Sequence, residues 1–173
     1  PQPRRGSGQR PEPARGIRGR VGRLAEVPAV LLMGRHYYNV TLMLNREHER
    51  RRLNSGRQAP AVREVLEHFS RRAARVYAWV VMPDHIHLLF SRTRPLKDIA
   101  RFAGRIKRQV NQRLRSHGDS DLSWRDGCIV YEVSEQTLAA ARDHILANPV
   151  RGKLASSPAE YELAASPSSL PAI

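Results

Sequence analysis

From Val76 to Val81 the chain is an unbroken apolar run, Val-Tyr-Ala-Trp-Val-Val, and few structures accommodate it. Its length and its β-branched and aromatic content suit a strand covered on both faces. Pro83-Asp84 supplies turn chemistry, since proline fixes φ and Asp bonds its own neighbouring backbone. A second run, His85 to Phe90, follows at once. Side chains alternate along a strand, so His85, His87 and Leu89 point one way and Ile86, Leu88 and Phe90 the other. Two imidazoles two residues apart on one face lie about 7 Å apart at Cα. Converging ring nitrogens can span that separation to hold one divalent ion. Spacing alone equally fits two polar residues on a solvated strand face.

The rest of the chain supplies partners for this hairpin. Tyr37 to Leu44 is β-prone and bounded by charge, which predicts a first strand. Pro60 suits a first helical turn, and Val62, Val65, Leu66, Phe69 and Ala73 recur at helical spacing to about Ala74. A second helix is predicted from Pro95 to about Arg115, with Leu96, Ile99, Ala103, Ile106, Val110 and Leu114 as its apolar stripe. Trp124 to Val133, with Asp126-Gly127 as a turn, reads as a hairpin or last strand. Ser134 is a fitting N-cap for a final helix from Glu135 to about Ala147, stopped by Pro149. The order β-α-β-β-α-β plus a helix predicts an α+β, ferredoxin-like domain: an antiparallel sheet with helices on one face and an added C-terminal helix.

Charge narrows the partner. Among 173 residues, 30 Lys and Arg oppose 16 Asp and Glu, a formal net charge of +14. Arginine predominates, which favours bidentate phosphate contacts, so a polyanion is expected, nucleic acid before anionic membrane. Lys97, Arg101, Arg105 and Arg108 line one face of the second helix without an acid among them, a predicted phosphate track. Arg50 and Arg51 lie in a basic loop that is either solvated or a further phosphate contact. No apolar stretch reaches the length of a spanning helix, so no membrane role is expected. A single cysteine, Cys128, excludes an intramolecular disulfide framework and fits a reducing cytoplasm. Residues 1–32, rich in Pro, Gly and Arg, read as a disordered basic arm or a non-native extension, with Met33 the alternative start. The main domain is expected over 33–154 and a loose Ser/Pro/Ala-rich tail over 155–173.

Met82-Pro83-Asp84-His85-Ile86-His87, after a Val/Trp-rich strand, resembles the HUH motif of single-tyrosine insertion-sequence transposases, in particular the REP-associated tyrosine transposases. Downstream, His144-Ile145-Leu146-Ala147-Asn148-Pro149-Val150-Arg151 is similar to the helix-ending Tyr-Ile-x-x-Asn-Pro-Val-Arg signature of that family. The resemblance spans roughly Tyr37 to Tyr161 and implies cleavage and rejoining of single-stranded or hairpin DNA. In such enzymes a tyrosine on the last helix attacks phosphorus, and paired histidines hold Mg²⁺ or Mn²⁺. It thereby implies His85 and His87 as metal ligands, Asn148 as a third, and Arg151 among the DNA contacts. A homodimer is also implied, although the sequence itself carries no sign of one.

One departure matters. Where the family places its tyrosine this chain has His144. Three readings follow: a vestigial substitution in a DNA-binding relative without catalysis, an extra metal ligand, or a histidine nucleophile. Tyr131 is a displaced-nucleophile candidate, with sheet packing as the competing expectation. An RNA-binding ferredoxin-like module is the remaining alternative. It lacks the Lys/Arg-Gly-Phe-x-Phe stacking signature such modules carry.

Overall fold

The computed structural model describes residues 34–45, 52–72 and 74–171. Arg50, Arg51, Ala73 and the expected N-terminal arm lie outside them. The elements run β1 (His36–Met43), α1 (Gln58–Arg72), β2 (Arg75–Val81), β3 (His85–Arg92), α2 (Ile99–Ser116), β4 (Ile129–Val133), α3 (Leu138–Leu146), α4 (Asn148–Arg151) and β5 (Ala164–Ala165). The strands form one antiparallel sheet in the order β4-β1-β3-β2-β5. The first four strands show the split βαβ arrangement that the order of elements predicted.

The sheet is covered on both faces, and β2 shows why. Val76, Trp79 and Val81 join the core under α1 and α2, whereas Tyr77, Ala78 and Val80 join a second core beneath α3. Tyr77 and Ala78 are consecutive yet share a face, because the pairing with β3 shifts register between Val76 and Ala78. A bulge inserts one residue and so permits the repeat. On β3, Ile86, Leu88 and Phe90 enter the α1/α2 core. Leu89, two residues beyond His87, anchors the α3 side against the core that holds Leu138 and Ile145. Phe90 stacks on Phe102 with ring centres 4.9 Å apart and meets Phe69 edge-on at 5.7 Å. Such pairs contribute about 0.5–1.5 kcal/mol each beyond their buried area.

Three helix boundaries differ from expectation. Pro95 does not open α2: the helix starts at Ile99, after Asp98, whose carboxylate accepts from the Arg101 amide at 2.8 Å. An Asx cap satisfies an otherwise orphaned N–H, which outweighs proline's preference for a first turn. Ser134 is likewise not the final N-cap. Residues 135–137 form a turn in which the Thr137 amide donates to Ser134 Oγ, and α3 begins only at Leu138. Pro149 does not stop the helix outright either, since it sits in the first turn of α4, where its missing N–H costs nothing.

The segment beyond residue 155, read as loose from its composition, runs along β2. Leu163 accepts from the Val81 amide, β5 pairs with Trp79 and Val80, and Tyr161 Oη donates to the Val81 carbonyl at 2.6 Å. That strap covers an edge strand whose unpaired backbone would otherwise recruit another chain. The opposite edge, β4, pairs on one side only.

Candidate functional site: paired histidines under α3 and α4

Cross-strand register brings the site together. His87 stands opposite Thr41 on β1 and Val80 on β2, and His85 stands opposite Met43. Partners across a ladder share a face, so both imidazoles sit on the side covered by α3. Their ring centres are 4.8 Å apart, one ring edge-on to the other at 85°. Neither ring is turned into the core: both are half-buried.

Each ring is oriented through Nδ1. His85 Nδ1 meets Asp84 Oδ1 at 2.6 Å, and His87 Nδ1 meets Thr41 Oγ1 at 2.9 Å. A ring whose Nδ1 donates to its oxygen keeps the Nε2 lone pair for another electrophile. Among the described residues, nothing bonds Nε2 of either ring. A carboxylate or hydroxyl behind a histidine is the usual outer shell of a metal ligand, fixing tautomer and ring orientation. Among the described residues no three His, Cys, Asp or Glu side chains gather around one point. Two anchored imidazoles are donors that suit a divalent ion.

Burial pushes the His87 pKa down to about 4, assisted by the charges of His85, His144 and Arg151 and opposed by Asp84. The ring is therefore neutral near pH 7, the form that binds a metal. The shift has a stability consequence. Between pH 4 and 6.5 the unfolded chain binds a proton that the folded one refuses, so stability rises with pH there. It is fully present above pH 6.5 and is lost as pH falls toward 4, by about 3 kcal/mol for the metal-free protein. Urea unfolding at pH 7 and pH 4.5 checks this, because a His87→Gln variant is expected to lose that share of the slope.

The C-terminal motif closes over the pair. His144 lies in the last turn of α3 and Asn148 begins α4. One nitrogen of the Arg151 guanidinium reaches three acceptors at 3.0 Å: His144 Nε2, the His144 carbonyl and Asn148 Oδ1. The Asn148 amide nitrogen donates to the carbonyls of His144 and Ile145. Arg151 thus engages the ring nitrogen and the amide oxygen that a nucleophile or third ligand would use. Tyr131 lies on the histidine face, on β4 opposite Asn39, but it is 64% exposed, which corrects the sheet-packing expectation. α3 packs chiefly on β2 and β3, while β4 stands at the sheet edge.

The basic face of α2 is elsewhere. Arg101, Arg105 and Arg108 are exposed on α2, which packs against the other side of the sheet. Lys97, also exposed, precedes the helix and so is not on the helical face the sequence predicted. Arg125, which sequence reasoning did not single out, connects the two sides. It lines a cavity of about 340 Å³ with Lys107, Arg108 and Trp124, and its guanidinium sits 3.9 Å from the sulfur of Met43, the cross-strand neighbour of His85. Lys107, buried at the back of that cavity, donates to the carbonyls of Arg125 and Gly127 and so fixes the segment leading into β4. No sequence signal marks Arg125 or Thr41, since both depend on which strands pair. Asp84 was visible in the motif, but only as turn chemistry.

A ferredoxin-like sheet carrying paired, anchored histidines beside a helix-ending Asn-Pro-Val-Arg segment defines the class. The chain belongs to the IS200-like transposase family, whose model matches residues 35–148. Among solved structures, a REP-associated tyrosine transposase bound to a REP hairpin is similar at 22% identity over 76% of each chain, with a TM-score of 0.57. A candidate transposase from Deinococcus radiodurans R1 is similar at 22% identity over 65% of this chain and 89% of that one, with a TM-score of 0.47. Comparison with curated proteins gave no match. Among the described residues, no helix is long and apolar enough to cross a membrane.

Proposed function

We propose that this protein binds single-stranded or hairpin DNA on its histidine face and presents a phosphodiester to a divalent ion, Mg²⁺ or Mn²⁺, held by His85 and His87. The observation that carries this reading is the pair of half-buried rings, 4.8 Å apart, each anchored through Nδ1 with Nε2 directed elsewhere. The ion would supply polarisation of the phosphate and neutralisation of charge in the transition state. Around it, Asp84 and Thr41 hold the ligand rings, and Arg151 is placed to exchange its present acceptors for phosphate oxygens. DNA would run from the α2 cations past Arg125 to His85 around the β4 edge. The DNA hairpin bound by the REP-associated relative supports the partner class.

A second reading, binding without cleavage, is favoured by His144. Its Nε2 accepts from Arg151, so it is not presented as a free nucleophile. A radiolabelled hairpin oligonucleotide with Mn²⁺ separates the two: a denaturant-resistant adduct supports cleavage, and salt-sensitive binding without an adduct supports the second. Failure to bind hairpin DNA at all would end both. Replacing Lys97, Arg101, Arg105 and Arg108 together by Ala is expected to flatten the plot of log affinity against log salt by about 3 units, close to 0.7–0.9 per lost phosphate contact. An unchanged slope would remove α2 from the interface.

A further inference from the structure

Tyr131 and Ile129 stand on the histidine face and are 64% and 44% exposed, unusual for large hydrophobic side chains on a sheet whose remaining strands are covered. Register fixes their place. Ile129, Thr41, His87 and Val80 form one cross-strand row, and Tyr131, Asn39, Leu89 and Ala78 form the next. The Tyr131 row is thus one step, two residues along each strand, from the row that holds His87. Asn39 Oδ1 is buried without a hydrogen-bond partner. Beyond it, Tyr37 occupies the third row, paired with Val133 and Ser91. The Glu135 carboxylate lies against Tyr37 and, after burial, is the next cause raising its pKa.

We propose that the exposed β4 edge of this face is a subsite for an unpaired nucleobase, with the Tyr131 ring as stacking platform. This rests on the reading that a DNA phosphate is held at His85 and His87. The charge pattern selects the occupant. Arg151 and Arg125 flank the histidine end together with Asp84, and Glu135 and Arg35 lie at the far end, so cations outnumber acids only at the histidine end. The anionic backbone therefore belongs at the histidine row, and only an uncharged base extends toward Tyr131. An aromatic ring serves any base, because every base has a π-face. A chain of formal net charge +14 also disfavours a second copy of itself as the cover for this surface.

The experiment compares a blunt hairpin with the same hairpin bearing a short oligo(dT) extension, by fluorescence anisotropy at fixed salt with the full chain. Wild type is expected to bind the extended hairpin more tightly. Tyr131→Ala should lose roughly 5- to 100-fold of affinity for it while leaving the blunt hairpin unchanged. Tyr131→Phe, which keeps the ring, should restore the wild-type value. Because the side chain is exposed, folding of Tyr131→Ala is expected to be normal, and circular dichroism verifies it. An extension that strengthens wild type and Tyr131→Ala equally overturns the subsite but leaves the DNA-binding reading standing. Wild type that binds neither hairpin overturns both. A ribose extension bound more tightly than the deoxyribose one, or a dimer dispersed by Tyr131→Ala without change in DNA affinity, overturns the proposed occupant.

Discussion

His144→Tyr is expected to convert a protein that forms little or no covalent DNA adduct into one that forms it readily, raising the rate of adduct formation by about 100-fold or more. Position 144 closes α3 over the histidines, near enough that its charge bears on His87. A phenol there would carry its oxygen beyond the reach of an imidazole, toward the same ion. It would also give up one acceptor of Arg151, whose guanidinium would favour the phenolate that attacks phosphorus. In that attack the tyrosine oxygen bonds to phosphorus, the 3′ oxygen leaves as a hydroxyl after taking a proton, and the 5′ side stays attached to the protein. The assay is a labelled hairpin with Mn²⁺, separated on a denaturing gel. Dependence of the band on His85 and His87 would tie it to the paired rings. If His144→Tyr binds the hairpin as wild type does and yields no adduct, the residues around position 144 are not arranged for strand transfer. An equal yield from wild type would identify His144, or another native side chain, as a working nucleophile.

Legibility in the sequence followed the range of the interactions. The β2 run announced a doubly covered strand, and the alternation through β3 separated His85 and His87 from Ile86, Leu88 and Phe90 as observed. Helical stripes named Val62, Val65, Leu66, Phe69, Ala103, Ile106, Val110 and Leu114, all of them buried. These features depend on near neighbours and on a fixed period. Helix starts were less legible, because a capping side chain such as Asp98 competes with proline and the outcome depends on the loop entering the helix. What depended on strand order was not visible: the Thr41 partner of His87, the Arg125 link between the two sides of the sheet, and the exposure of Tyr131. That exposure goes with the place of β4 at the edge of the sheet, which no local pattern encodes. The site motif was legible for a different reason, since His-x-His on a strand and His144 with Asn148 at helical spacing each place two groups through local geometry alone.

Replacing both His85 and His87 by Ala is expected to lower Mn²⁺ affinity at least 100-fold while changing hairpin affinity by about threefold or less. The two effects separate because they come from different atoms. In this reading metal affinity depends on two Nε2 lone pairs, and among the described residues no group of three or more His, Cys, Asp or Glu gathers elsewhere to replace them. DNA affinity depends on the Lys and Arg side chains, and the substitutions remove none of these. Thr41→Val offers a milder version of the same test. It preserves shape but removes the oxygen that holds His87 Nδ1, so the ring remains while its orientation loosens. A fall of about tenfold in Mn²⁺ affinity is expected, within the range usual for groups that orient a metal ligand. Isothermal titration with Mn²⁺ alone measures both, with no need for cleavage. If the double substitution leaves Mn²⁺ binding intact, the ion is held elsewhere and the rings serve another purpose. If it abolishes DNA binding as well, in a protein still folded, the imidazoles contact the strand directly and the division of labour between ion and arginine is mistaken.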